Sequence, residues 1–195
     1  SCGTPKEIAL PNKNIKVENG AITFKGKPYT GKIKMNLSDK VQGYSGFLSF
    51  KDGHFDGLSE IKNEKQKMHI KFTVLNGKFE GEVISKMPQM GEATYNFKQG
   101  KLETGVANLM DGTKMNVTYD DKGRINGTME IGGQTANFKD GEAPFQGGTL
   151  KAVINYEKEK VEMSFYQGSK LLQNIDSPIL TVSLFEQMLF PVLAQ

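Results

Sequence analysis

The chain has 195 residues, with 25 basic and 22 acidic side chains, a net charge of +3, one cysteine and no tryptophan. A lone cysteine excludes an intrachain disulfide framework. Only Arg124 is arginine and the other basic residues are lysine, which argues against a nucleic-acid binder, because bidentate phosphate and base contacts favour arginine.

Residues 1–14 open with Ser1-Cys2-Gly3 and continue through the polar, proline-containing TPKEIALPNKN. This stretch reads as a flexible tether. Small-Cys-small resembles the end of a bacterial lipobox, where the cysteine becomes the acylated first residue of the mature protein. Cys2 is therefore the expected lipid-attachment site, and the expected location is the bacterial cell envelope, on its periplasmic or surface face. Several acyl chains anchor stably where one holds only marginally. The wealth of lysine, asparagine and isoleucine, all with AT-rich codons, fits a low-GC bacterium.

From residue 24 one phrase recurs: FKGKPYTG (24–31), FKDGHFDG (50–57), VLNGKFEG (74–81), FKQGKLETG (97–105), YDDKGRING (119–127) and FKDGEAPFQG (138–147). The closing glycines, at 31, 57, 81, 105, 127 and 147, recur at a period typical of repeat architectures. Asp-Gly and Asn-Gly between apolar runs signal tight hairpin turns, since such turns need positive φ. Second turns fall between the phrases, at SDKVQG (38–43), KNEKQ (62–66), MPQMG (87–91), MDG (110–112) and GG (132–133). Each unit is thus two strands and two turns. The strands alternate: Met68, Ile70, Phe72 and Val74 point one way, and Lys67, His69, Lys71 and Thr73 the other. The same holds for Met115, Val117 and Tyr119, for Leu150, Ala152, Ile154 and Tyr156, and for Val161, Met163 and Phe165. Clean alternation predicts an antiparallel sheet with one dry and one wet face. Hydrophobic residues at 37% suit such a sheet.

The aromatic-Lys-x-Gly-Lys-apolar-x-Gly phrase resembles the bacterial variant of the MORN repeat, which also occurs in antitoxin-like proteins. The resemblance covers about residues 20–150. Copy 1 departs from it with Pro28, copy 5 with Arg124, and copy 6 with the insertion Glu142-Ala143-Pro144. The family implies an elongated, twisted antiparallel sheet that serves as a scaffold or contact surface, and so binding rather than catalysis. Choline-binding repeats share the hairpin period but build their cages from tryptophan, which this chain lacks.

The only helical signal is C-terminal. Asp176-Ser177-Pro178 reads as a cap with proline at the first helical position. Leu180, Leu184, Phe185, Met188 and Leu189 follow at helical spacing, and Pro191 is expected to end the helix. Such an apolar segment, too short to span a bilayer, is expected to dock on the dry face over the last few strands. The predicted fold is all-β: an elongated antiparallel meander of about 13 strands built from repeated β-hairpins, twisted or partly rolled, with one C-terminal helix packed on its apolar face. The predicted segments are a tether over 1–14, the repeat sheet over 15–176, and the apolar helix and tail over 177–195.

Catalytic and metal motifs are sparse. His54 lies in a turn and His69 on the wet face, both expected to be solvated, and neither has a second ligand at metal spacing. Residues 119–123 lack the later acidic positions of a calcium loop. The sequons at Asn36, Asn116 and Asn126 matter only in a eukaryotic secretory route. Met35, Met68, Met115 and Met163 read as core filling. No catalytic residue, metal ligand or cofactor is expected, and the ligand-binding residues are left open. The expected function is a non-catalytic envelope lipoprotein that offers a protein-binding, adhesion or scaffold surface. Its expected partners are the membrane, through the lipidated N-terminus, and another protein, with no nucleic acid. The alternative is a carrier that holds an acyl chain or other apolar ligand in the curled sheet, and an enzyme of unknown type is the third reading.

Overall fold

The computed structural model describes residues 3–35 and 43–194. Among these are 20 strands and one C-terminal helix, so the chain is all-β apart from its end. The largest sheet counts 13 strands in an open order rather than a closed barrel. The chain divides into two compact units, Ser1–Pro88 with Thr181–Gln195, and Gln89–Leu180.

The first unit holds β1 (Glu7–Ala9), β2 (Ile15–Glu18), β3 (Ala21–Phe24), β4 (Lys27–Pro28), β5 (Gly31–Met35), β6 (Tyr44–Lys51), β7 (His54–Phe55), β8 (Gly57–Asn63), β9 (Met68–Leu75), β10 (Lys78–Phe79) and β11 (Gly81–Met87). Its hydrogen-bonded order is β1-β5-β6-β8-β9-β11, beside a small β2-β3-β4 sheet. The recurring phrase explains the short strands. In FKDGHFDG, Phe50 pairs with Phe55 and Lys51 with His54, and between them Asp52 and Gly53 take φ of 50° and 84°. Left-handed geometry at both central residues makes a type I′ turn. The exit strand then gains two residues on its partner, because Phe55 faces Phe50 while Glu60 faces Phe47. Asp56 and Gly57 are the extra pair, and they form a β-bulge that splits one strand into β7 and β8. The third phrase repeats this, with Val74 opposite Phe79 and Lys71 opposite Ile84. The Gly53 turn tip also docks on the neighbouring copy: the Gly53 N–H donates to the Tyr29 carbonyl at 2.8 Å, and Ile22 N–H donates to the Gly53 carbonyl at 2.9 Å.

The phrase aromatics build the dry face. Ring centroids lie 6.3 Å apart for Phe24–Tyr29, 6.4 Å for Tyr29–Phe50, 5.1 Å for Phe50–Phe55, 4.9 Å for Phe55–Phe72 and 5.9 Å for Phe72–Phe79. Helix α1 (Val182–Leu193) covers this surface. Its Phe185 sits 5.0 Å from Phe72 and 5.5 Å from Phe79, and its Phe190 5.3 Å from Phe55 and 6.0 Å from Phe50. The expectation of a docked apolar helix holds, but its placement is corrected. It lies on the early phrase aromatics rather than the last few strands, because those stacked rings offer the apolar surface that Phe185 and Phe190 complement. The helix also starts later than predicted. Strand pairing runs through Pro178, and Thr181 is the cap, its hydroxyl accepting the Leu184 N–H at 3.2 Å. Pro191 does not end the helix but lies inside it, two residues before its last residue, Leu193, where it removes one i→i−4 hydrogen bond from the final turn.

The N-terminal stretch expected to be a free tether also joins the sheet in part. β1 pairs in parallel with β5, Ile8 opposite Ile33, and Ile8 and Leu10 are buried. The Tyr29 hydroxyl, fully buried, lies 3.0 Å from the Pro5 carbonyl and 3.2 Å from the Lys32 carbonyl. Burial of Ile8 and Leu10 together with the β1–β5 hydrogen bonds holds these residues on the sheet.

The second unit holds β12 (Gly91–Lys98), β13 (Lys101–Leu109), β14 (Lys114–Tyr119), β15 (Ile125–Ile131), β16 (Gln134–Phe138), β17 (Glu142–Phe145), β18 (Gly148–Asn155), β19 (Lys160–Gln167) and β20 (Lys170–Pro178). Strands β12 to β16 follow one another as antiparallel neighbours, and β17 to β20 form a separate four-stranded sheet. The two sheets share a core of Val117, Ile125, Met129, Ala136, Phe138, Ala143, Leu150 and Ala152. They are stitched where Ile154 N–H donates to the Gly123 carbonyl and Ala152 N–H to the Gly141 carbonyl, each at 2.8 Å. The sixth phrase and its insertion thus mark the place where the chain leaves one sheet for the other.

Candidate functional site

The second unit leaves one apolar surface open beside β20, whose residues are exposed throughout. A cleft of about 350 Å³ opens beside the shared core, within the range of small-molecule sites. One wall comes from β12 to β15, with Tyr95, Leu102, Leu109, Met115, Tyr119, Ile125, Met129 and Ile131. The other comes from β19, β20 and the residues after them, with Val161, Met163, Ile175, Ser177, Pro178, Ile179 and Leu180. The pairing register orders these side chains along the cleft. Met115 lies opposite Met129 and Tyr119 opposite Ile125, while Met163 faces Ile175 and Val161 faces Ser177. Asp111 and Thr113 line it at the β13–β14 turn. From Thr113 to Tyr119 is six residues, or ~20 Å of extended strand. The lining residues therefore run along most of β14, from a polar turn at Asp111 and Thr113 to the Tyr119 and Tyr95 rings.

Polar atoms inside are few. The nearest partner of the Tyr119 hydroxyl is the Met115 sulfur at 4.0 Å, a weak acceptor. Burial, with Tyr95 and Tyr156 nearby, pushes the Tyr119 phenol well above its ordinary value, and burial raises Tyr95 as well. Both rings stay neutral donors. Gly105 makes room for them: a Cβ there would lie 3.1 Å from the Tyr119 hydroxyl and Met115 Cε, and 3.2 Å from the Tyr95 ring. At the mouth, the Asp111 carboxylate accepts the Thr113 N–H at 2.9 Å. That bond, first, and the Thr113 hydroxyl hold its carboxyl below the usual range. Such an arrangement has room for an apolar body and a few donors and acceptors that can orient one. It presents no nucleophile paired with a base.

The residues singled out in the sequence fall elsewhere. Cys2 lies outside the described residues, as does Asn36. His54 is not simply solvated: its Nδ1 is 3.0 Å from Glu186 Oε1 on α1, and the same carboxylate accepts the Phe55 N–H at 3.0 Å. The one charge on the helix is thereby satisfied at a turn tip. His69 is not free on the wet face either, with Nε2 2.7 Å from Glu60 Oε2. That hydrogen bond is the main cause that lowers the Glu60 carboxyl below its ordinary value. At residues 119–123, Asp120 caps its own turn, accepting N–H bonds from Lys122 at 3.0 Å and Arg124 at 2.8 Å, with Arg124 Nε at 2.6 Å. Met35 is buried, Met68 is half-buried, and Met115 and Met163 pack against the shared core and also line the cleft. Among the described residues no group of three or more His, Cys, Asp or Glu side chains converges as a metal site. Nor is any helix long and apolar enough to cross a membrane.

Sequence reading put Met115, Tyr119, Val161 and Met163 on a dry face but missed that they face one another across a gap. The available signal was a surplus of dry face over cover, since one short helix cannot shield this many strands. Compared with known proteins, the chain matches no family model and no curated protein.

Proposed function

We propose that this protein is a non-catalytic carrier that holds an apolar, chain-shaped molecule in the second unit, and that a lipidated Cys2 keeps it at a bacterial envelope membrane. The observation that carries the reading is the elongated apolar cleft of about 350 Å³ between the two sheets. An open apolar cleft leaves its lining short of dispersion contacts, and a ligand that fills it supplies them. The neutral phenols of Tyr95 and Tyr119 and the hydroxyls of Thr113 and Ser177 supply orientation without demanding a charge. Kinship with MORN-type repeats belongs to the same proposal, and what supports it is the recurring turn-and-bulge phrase. The test is binding of a neutral naphthylamine fluorophore. Wild type should enhance its emission saturably, and Ile175→Trp should abolish that, since this exposed edge-strand position puts a ring into the cleft. Equal binding by a folded Ile175→Trp variant would defeat the carrier reading. For the anchor, Cys2→Ala should move the full-length protein from the membrane to the soluble fraction, and unchanged fractionation would defeat it.

A second reading, a protein-binding or adhesion surface, is favoured by β20. It pairs only with β19 in its sheet and leaves Leu171, Leu172 and Ile175 exposed. An unpaired apolar edge is a template for an added strand.

A further inference from the structure

The charge around the cleft selects among apolar chains. The chain carries 25 lysines and arginines, yet none lines the cleft, and Asp111 is its one charged side chain among the described residues. Lys114 and Lys160, each next to a lining residue, are turned away by strand alternation and are paired with acids, while Lys101, next to Leu102, lies over the Tyr156 ring at 5.8 Å. Lys114 sits between the lining residues Thr113 and Met115 but points to the other face, 3.8 Å from Glu130. Lys160, beside the lining Val161, is 2.7 Å from Asp176. A carboxylate or phosphate head seated here would meet no cation, would lie near the Asp111 carboxylate, and would lose hydration without compensation. An uncharged head can instead take the Thr113 or Ser177 hydroxyl, and an ammonium head can face Asp111.

Resting on the carrier reading above, we propose that the ligand is an unbranched amphiphile with a neutral or cationic head held at Asp111 and Thr113, its chain running toward Tyr119, and that the cleft rejects free fatty acids. An aspartate is ionised at neutral pH even at its ordinary value, and the hydrogen bonds from Thr113 only lower that value further, so the selection operates under ordinary conditions.

The test is displacement of the naphthylamine fluorophore by dodecylamine, dodecanol and sodium dodecanoate, each below its micellar concentration. The amine and the alcohol should displace it, and dodecanoate should be at least about tenfold weaker. Asp111→Asn should reduce the amine-to-alcohol affinity ratio by about two- to fivefold, the size of an exposed ion pair. Asp111→Lys should make dodecanoate the better competitor of the two charged chains. Dodecanoate competing as well as the amine in wild type would overturn the selectivity and leave the carrier reading standing. Failure of all three chains to displace the bound fluorophore would overturn both.

Discussion

Replacing Phe185 by alanine tests whether α1 is part of the fold. Phe185 is fully buried, with its ring 5.0 Å from Phe72 and 5.5 Å from Phe79. Truncating a buried phenylalanine costs about 3–5 kcal/mol through lost transfer energy and the cavity left behind. Each well-placed aromatic pair adds about 0.5–1.5 kcal/mol beyond area burial. Because two such pairs are lost, the expected cost lies toward the top, at about 4–5 kcal/mol. With a urea slope of about 1.5 kcal/mol per molar, the unfolding midpoint should fall by about 3 M, followed by far-ultraviolet circular dichroism. Phe72→Ala made in the same background should couple to it, with a non-additive part of at least about 0.5 kcal/mol. A cost below about 1 kcal/mol, with additive effects, would show that the helix is not held by these rings.

Three further outcomes follow from single features. Gly53→Ala should cost more than Gly77→Ala: both positions have positive φ, but a Cβ at Gly53 would also lie 2.8 Å from Ala21 Cβ, whereas none of the neighbouring atoms come within 4 Å at Gly77. Thermal melts should place the second near the ~1–2 kcal/mol of left-handed geometry and the first above it. Tyr29→Phe should cost about 1–2 kcal/mol, since the one buried O–H that the Pro5 and Lys32 carbonyls share is lost, and limited proteolysis should then cut earlier in residues 3–10. The Glu60–His69 pair should make stability fall on acidification. The folded carboxyl titrates below its ordinary 4.5, so its contribution is present above that value and is lost as pH falls through the folded value. His69→Ala should therefore destabilise by under ~1 kcal/mol at pH 6 and by nothing measurable near pH 2, and a constant difference across that range would contradict the assignment.

Turn chemistry and strand facing were legible in the sequence because both are local. Asp52-Gly53 needs only positive φ, and Ile70, Phe72 and Val74 need only a period of two; all three are buried. The pairing of β1 with β5 was not legible, since Glu7–Ala9 is too short to show a period and its partner lies 25 residues on. Asp176-Ser177-Pro178 reads equally as a helix cap and as the end of an edge strand, and the choice fell to β19, which pairs with all three. The docking site of α1 was hidden because it depends on which turns stack their rings, a tertiary outcome. The cleft was half legible: the residues of each wall were read as dry, but the sheet change after the sixth phrase, which sets the walls face to face, left no mark beyond the insertion Glu142-Ala143-Pro144.

The carrier reading is tested most directly by native mass spectrometry of the full-length protein after mild extraction from its source. The account predicts a population carrying one non-covalent adduct with the mass of a chain amphiphile, which collisional activation releases as a neutral or cationic species and which Ile175→Trp lacks. A wild-type protein that is bare in every preparation and takes up no added dodecanol would contradict it.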